Sequence, residues 1–169
     1  MGKSLVFYGH EALKKIADEI SDIDGEVVKL IESMYNVMYG ASGIGLAAPQ
    51  VNVSKRVIVV DIGEKNGPPL MLINPVIKEV SDSQEPYEEG CLSIPGIMKE
   101  IIRPTVILVS GYDIEGNEIE IEAGGLLARV TPHEIDHLNG ILFIDRLEDY
   151  QKKELRPELK KIKKLNKAQ

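Results

Sequence analysis

The sequence predicts an α+β fold: a single domain with small antiparallel sheets packed around a central helix, N-terminal helices ahead of them and a C-terminal helix behind. Two observations carry this. Strand-like segments follow one another in runs instead of alternating with helices, which speaks against a doubly wound sheet. Residues 125–139 join helical spacing to the run His133-Glu134-Ile135-Asp136-His137, the helix around which the chain is arranged. The 169 residues, 43% hydrophobic and 28% charged, suit one catalytic domain over 1–169, with 150–169 as a basic helical tail.

Residues 11–18 read as a short helix. Over residues 24–39, Val27, Leu30, Ile31, Met34, Tyr35 and Met38 follow helical spacing, and Gly40 suits the C-terminal cap. GIGLAAPQ (43–50) makes a poor regular element, but its small residues let the backbone run close to something else. It lacks the G-K-[ST] of a phosphate loop. Residues 56–62 form a β-branched strand, 63–69 a loop, and 70–73 and 76–80 two further strands. Residues 81–89 are acidic and turn-like. Strands at 105–113 and 118–122 join as a hairpin through Glu115-Gly116-Asn117. The helix over 125–139 closes at Gly140. Pro132 lies inside it, so the helix either begins later or bends just before His133. The last helix, 150–167, is polar and interrupted near Pro157.

Composition excludes several classes. A net charge of −7 argues against general affinity for nucleic acid or anionic membrane, and no sequence-specific nucleic-acid partner is expected. No apolar run approaches the ~20 residues of a membrane span. The start MGKSLVFYGHEALKK lacks the apolar core and cleavage site of a secretory signal, so a cytoplasmic protein is expected. A lone cysteine, Cys91, excludes an internal disulfide framework. Charge is uneven, with eight Lys or Arg against two Glu over residues 151–169. That tail reads as a solvated helix face or as a docking surface for something anionic.

Histidines four apart are only ~40° from alignment on a helix, so both imidazoles can reach one divalent ion. Glu134, about 100° round from His133, can address a water there without being a ligand. Metal-assisted hydrolysis needs this arrangement, because such an ion can bring the pKa of water from 15.7 to about 7. Two half-buried histidines on a helix face would be the alternative reading. Of the three histidines two are here, and His10 reads as an ordinary residue. A catalytic site needs a third protein ligand. The pattern HExxHxxGxxH fails, since position 143 is Phe, and Asp145, Glu148 and Asp149 offer no compelling geometry. Cys91, in a glycine-flanked turn, is the better candidate, as thiolate binds first-row ions well.

The segments GIGLAAPQ (43–50), EGCLS (89–93) and HEIDH (133–137), in this order and spacing and followed by LNGILFIDRL, resemble the peptide deformylase family. The resemblance implies a hydrolase that removes the formyl group from N-formylmethionine of new polypeptides, releasing formate. It implies Cys91, His133 and His137 as ligands of one Fe²⁺, with Ni²⁺, Co²⁺ or Zn²⁺ as substitutes, and Glu134 as general base and acid. Gln50 and the Leu92 N–H would donate to the developing oxyanion, and Ile44 and Gly45 would bind the substrate backbone. Ile44, Leu126 and Val130 would wall the methionine pocket, with Glu89 and Arg103 bracing the ligands. The basic tail resembles that of long-tailed members, which implies docking to the ribosome. Two positions depart from the family: Pro132 stands where glutamine is usual and Met98 where many members carry arginine. Binding beyond the methionine is therefore expected to be arranged differently. A zinc endopeptidase is disfavoured by Phe143, and a metal-binding module without catalysis by Glu134 and Gln50.

Overall fold

The computed structural model describes residues 2–168. Helix α1 (Gly25–Gly40) starts where Asp24 caps it, its carboxylate accepting from the N–H groups of Glu26 (3.0 Å) and Val27 (3.1 Å). Val27, Leu30, Ile31, Met34 and Met38 face the core, as their spacing predicts. A five-stranded antiparallel sheet lies against it, built from β1 (Gly45–Ala47), β2 (Val57–Val60), β3 (Leu70–Val80), β6 (Val106–Tyr112) and β7 (Glu118–Gly124) in the order β1-β2-β3-β6-β7. Leu46 pairs with Val59, Val59 with Met71, and Val109 with both Ile77 and Ile121. Strand β1 is thus an edge. A separate two-stranded ribbon pairs β4 (Gln84–Cys91) with β5 (Ile94–Pro104).

Helix α2 (Leu127–Leu138) sits between sheet and ribbon, and every residue from Ala128 to Leu138 is buried. Its apolar side, Ile135 and Leu138, packs on Ile58, Leu72 and Ile107 of the sheet. Its other side carries the polar motif. Helix α3 (Asp149–Lys163) closes the far end, burying Leu155, Leu159 and Ile162 against the ribbon's Ile94, Ile97 and Ile101.

Several elements differ from expectation. Residues 11–18 hold only a 3₁₀ turn at Glu11–Lys14, capped by His10 Nδ1, which accepts from Ala12 N–H at 3.1 Å. The chain then runs extended because Asp18 exchanges backbone bonds with Ser54 and Arg56. GIGLAAPQ contains β1 and leads into a 3₁₀ turn, Ala48–Val51. The two strands expected at 70–80 are one, bulged near Asn74, whose side chain bonds both Ile20 N–H (2.9 Å) and Ile20 C=O (2.8 Å). The acidic stretch over 81–89 is mostly strand β4, and β5 was not foreseen at all. Helix α2 begins later than residue 125, since Gly125 has φ +56° and belongs to the preceding turn. It continues through Pro132, and α3 likewise continues through Pro157.

Candidate metal centre

Each candidate is placed by a different local device. Gly45 brings β1 onto α2, where a Cβ would stand 2.5 Å from Glu134 Oε2 and 2.7 Å from Val130 Cγ1. A side chain there would displace the strand or the carboxylate. Gln50 sits in the following 3₁₀ turn with its amide fixed at both ends. Its Oε1 accepts from Ala47 N–H at 2.9 Å, while Nε2 donates to Ser93 Oγ (3.1 Å) and reaches Cys91 Sγ at 3.5 Å. Cys91 closes β4, paired with Ile94 across a turn formed by Leu92 and Ser93.

Cys91 faces His133 and His137 on α2. One ligand atom from each lies within 4.8 Å of the other two, and Cys91 Sγ is 3.3 Å from His137 Nε2. His133 Nδ1 bonds Glu89 Oε1 at 3.0 Å, which turns Nε2 toward the cysteine, and Phe143 stacks on the ring at 5.8 Å. Such an outer carboxylate fixes the tautomer and orientation of a ligating imidazole. Arg103 holds Glu89 bidentately, Nε to Oε2 at 2.6 Å and Nη2 to Oε1 at 3.0 Å, and reaches Asp136 through Nη1 at 3.1 Å. Arg146 grips Asp136 with two bonds of 2.8 Å. A line of alternating charge therefore runs from His133 to the surface.

Electrostatics sort the titratable groups. Burial pushes the Glu134 carboxyl up to about 7, and its Oε1 has no partner among the described residues. Burial and the nearby charge of His133 hold His137 well below the usual histidine range. Burial alone would lower His133, but hydrogen bonds with Cys91 and Glu89 and the adjacent negative charge raise it well above its ordinary value. Burial works the other way on Glu89, yet bonds from His133 and Arg103 bring it below 4.5. The donor set fits a divalent ion: a thiol and two imidazoles converge, and one ring is oriented by a carboxylate through its other nitrogen.

A cavity of about 740 Å³ opens onto this cluster. Ile44, Gly45, Gln50, Cys91, Leu92 and His133 line it, as do Glu89, Leu126, Val130 and Glu134. Arg103 stands behind Glu89, buried, and His137 is fully enclosed. Every residue expected at the site is therefore gathered around one cavity. Ser93, Asp136 and Arg146 belong to its framework but were not expected. The first two lie inside the EGCLS and HEIDH segments, where their polarity next to buried neighbours was the available signal.

Fold and site define a metal-dependent hydrolase with a Cys/His/His centre among the described residues. A family model described as polypeptide deformylase matches residues 3–153. The peptide deformylase of Brachyspira hyodysenteriae is 46% identical over 168 residues, covering 96% of this chain and 90% of that one. That of Thermodesulfovibrio yellowstonii is 50% identical over 155 residues, covering 90% and 93%. The crystal structure of a Synechococcus elongatus peptide deformylase in complex with actinonin superposes with a TM-score of 0.84 at 43% identity, covering 95% of this chain and 85% of that one. The chain belongs to the polypeptide deformylase family, metal-dependent hydrolases that remove N-formyl groups from nascent peptides.

Proposed function

We propose that deformylation by this chain is carried by Glu134 and Gln50 beside an ion held by Cys91, His133 and His137. The observation that bears most weight is the position of the Glu134 carboxylate. It is buried, unpartnered at Oε1, pressed against the Gly45 backbone and open to the same cavity as Cys91 and His133. Fe²⁺ is the proposed ion, with Ni²⁺, Co²⁺ or Zn²⁺ able to substitute, because a thiolate donates more charge than a third imidazole. When bound, the ion supplies Lewis acidity and lowers the pKa of water.

This chain's own residues do the rest. Ile44 and Gly45 hold the formylmethionyl peptide along the free edge of β1, with the methionine side chain against Ile44, Leu126 and Val130. Glu134 takes a proton from the attacking water and returns it to the departing amine nitrogen. Negative charge develops on the formyl oxygen, and the Gln50 amide and Leu92 N–H receive it. Glu89 and Arg103 keep His133 in register. Bond making and breaking balance as water plus formyl amide giving formate and a free amine.

Formate release from formyl-Met-Ala-Ser tests the reading. Glu134→Ala loaded with Ni²⁺ is expected to keep its metal and lose at least ~10²-fold in kcat, the scale of general acid–base catalysis. Retained turnover in that variant would remove Glu134 from the mechanism.

The tail adds a second element to the proposal. Apolar Leu155, Leu159 and Ile162 face inward, which leaves Lys153, Lys160 and Lys164 exposed. We assign that basic face to docking on the ribosome, which would place the enzyme in the cytoplasm beside emerging chains. Reversing these three lysines to glutamate should weaken co-sedimentation with ribosomes and leave short-peptide turnover intact. Unaltered co-sedimentation would sink the assignment.

A further inference from the structure

Residues 5–8 belong to neither sheet, yet they run between two walls of the active site and enter a turn at Tyr8. Val6 N–H donates to the Gln50 carbonyl (2.8 Å) and Tyr8 N–H to the Ser93 carbonyl (2.9 Å). Gln50 Nε2 in turn donates to Ser93 Oγ at 3.1 Å. These bonds close a ring through Val6, Gln50, Ser93 and Tyr8, and the ring carries the amide that faces Cys91 Sγ. Leu5 and Phe7 line the catalytic cavity from the same segment.

The N–H groups of Val6 and Tyr8 serve the ring, whereas that of Phe7, between them, is bonded at the C-terminal end of the chain. Asn166 meets it there, from the 3₁₀ turn Lys164–Ala168 that follows α3. Its Oδ1 accepts from Phe7 N–H at 2.8 Å, and its Nδ2 donates to the carbonyls of Phe7 (3.0 Å) and Tyr8 (3.1 Å). A side-chain amide carries a donor and an acceptor like a peptide group, so Asn166 fills the place of a neighbouring strand. Fit is tight on this side: a Cβ on Gly9 would stand 2.5 Å from Lys163 Cγ.

We infer that Asn166 is a positioning residue for deformylation, clamping Phe7 so that the hydrogen-bonded ring holds the Gln50 amide on the reacting oxygen. This rests on the proposed role of Gln50 as an oxyanion donor. Aspartate cannot replace Asn166, since it offers only acceptors to two carbonyls. Glutamine carries the amide one methylene further out. The basic tail and the reaction centre are thereby joined mechanically, through three hydrogen bonds remote from the chemistry.

Kinetics on formyl-Met-Ala-Ser with Ni²⁺-loaded protein separate the possibilities. Asn166→Ala should lower kcat about tenfold with KM nearly unchanged, because a donor displaced by a fraction of an ångström loses transition-state contact. Asn166→Asp keeps the shape without the donors and should behave alike. Amide exchange at Val6 and Tyr8 should quicken in both variants. In a Gln50→Ala background the same Asn166→Ala change should cost less than about twofold, the non-additivity expected of residues acting through one another. Unchanged kcat in Asn166→Ala, or equal losses in both backgrounds, would overturn the inference alone. Full turnover by Gln50→Ala would overturn the reading of Gln50 and the inference with it.

Discussion

Glu134 concentrates the electrostatic tension of the site. Its carboxyl is buried at the edge of the cavity, and burial pushes it up to about 7 from an ordinary 4.5. Between those values the folded, metal-free protein keeps a proton that the unfolded chain has lost. Stability of the metal-free protein must therefore fall as pH rises from 4.5 toward 7, and this contribution is fully expressed above about 7. That difference corresponds to destabilisation on the order of 3 kcal/mol at neutral pH. Glu134→Gln carries no such charge, so its metal-free form should be the more stable by an amount of that order at pH 7.5 and lose the advantage near pH 4. Urea denaturation across that range measures it, and a pH-independent difference would contradict it. Glu89 behaves oppositely. Its depressed value means that its bonds to Arg103 and His133 stabilise the fold above 4.5 and are lost below it.

At the level of elements, helix caps and periodicity made parts of the fold legible. The spacing of Val27, Leu30, Ile31 and Met34, closed by Gly40, announced α1, and β-branched residues announced β2. Asp24 is exposed and its cap is local, so Asp24→Ala should cost about 1 kcal/mol of stability in denaturant unfolding, within a range of about 0.5–2, and leave turnover alone. A cost near zero would show that the N-terminus of α1 is held by packing. The β4–β5 ribbon was opaque because its stability lies in cross-strand partners distant in sequence. Acidic Glu85, Glu88 and Glu100 are exposed along it, while Pro95 and Gly96 break the alternation of its buried isoleucines. Pro132 was opaque for another reason. Sequence shows the lost hydrogen bond, but the burial that keeps α2 continuous comes from the sheet beneath it. Arg146 could not be placed from its own neighbourhood, since its partner Asp136 sits ten residues back on another helix turn.

For the whole molecule, metal loading, protonation and folding are one coupled equilibrium. The ligands come from the ribbon and from α2, so a bound ion ties the two halves of the fold together at Cys91, His133 and His137. Metal-free protein near neutral pH holds His133 as the cation, because Cys91 and Glu89 raise it well above 6.5 against the effect of burial. His137, held well below 6.5, is already neutral. An imidazole can ligate only after losing its proton on the binding nitrogen, so loading must expel at least the His133 proton. Calorimetric titration with Ni²⁺ at pH 7, repeated in buffers of different ionisation enthalpy, should show a heat that varies with the buffer. Glu89→Gln removes one cause of the raised value, so the protons released at pH 7 should fall in that variant. A buffer-independent heat in the native protein would mean that His133 is neutral before the metal arrives. The same ion should raise thermal stability by mass action, about 2.7 kcal/mol at a free concentration 100 times Kd, and a chelator should reverse it.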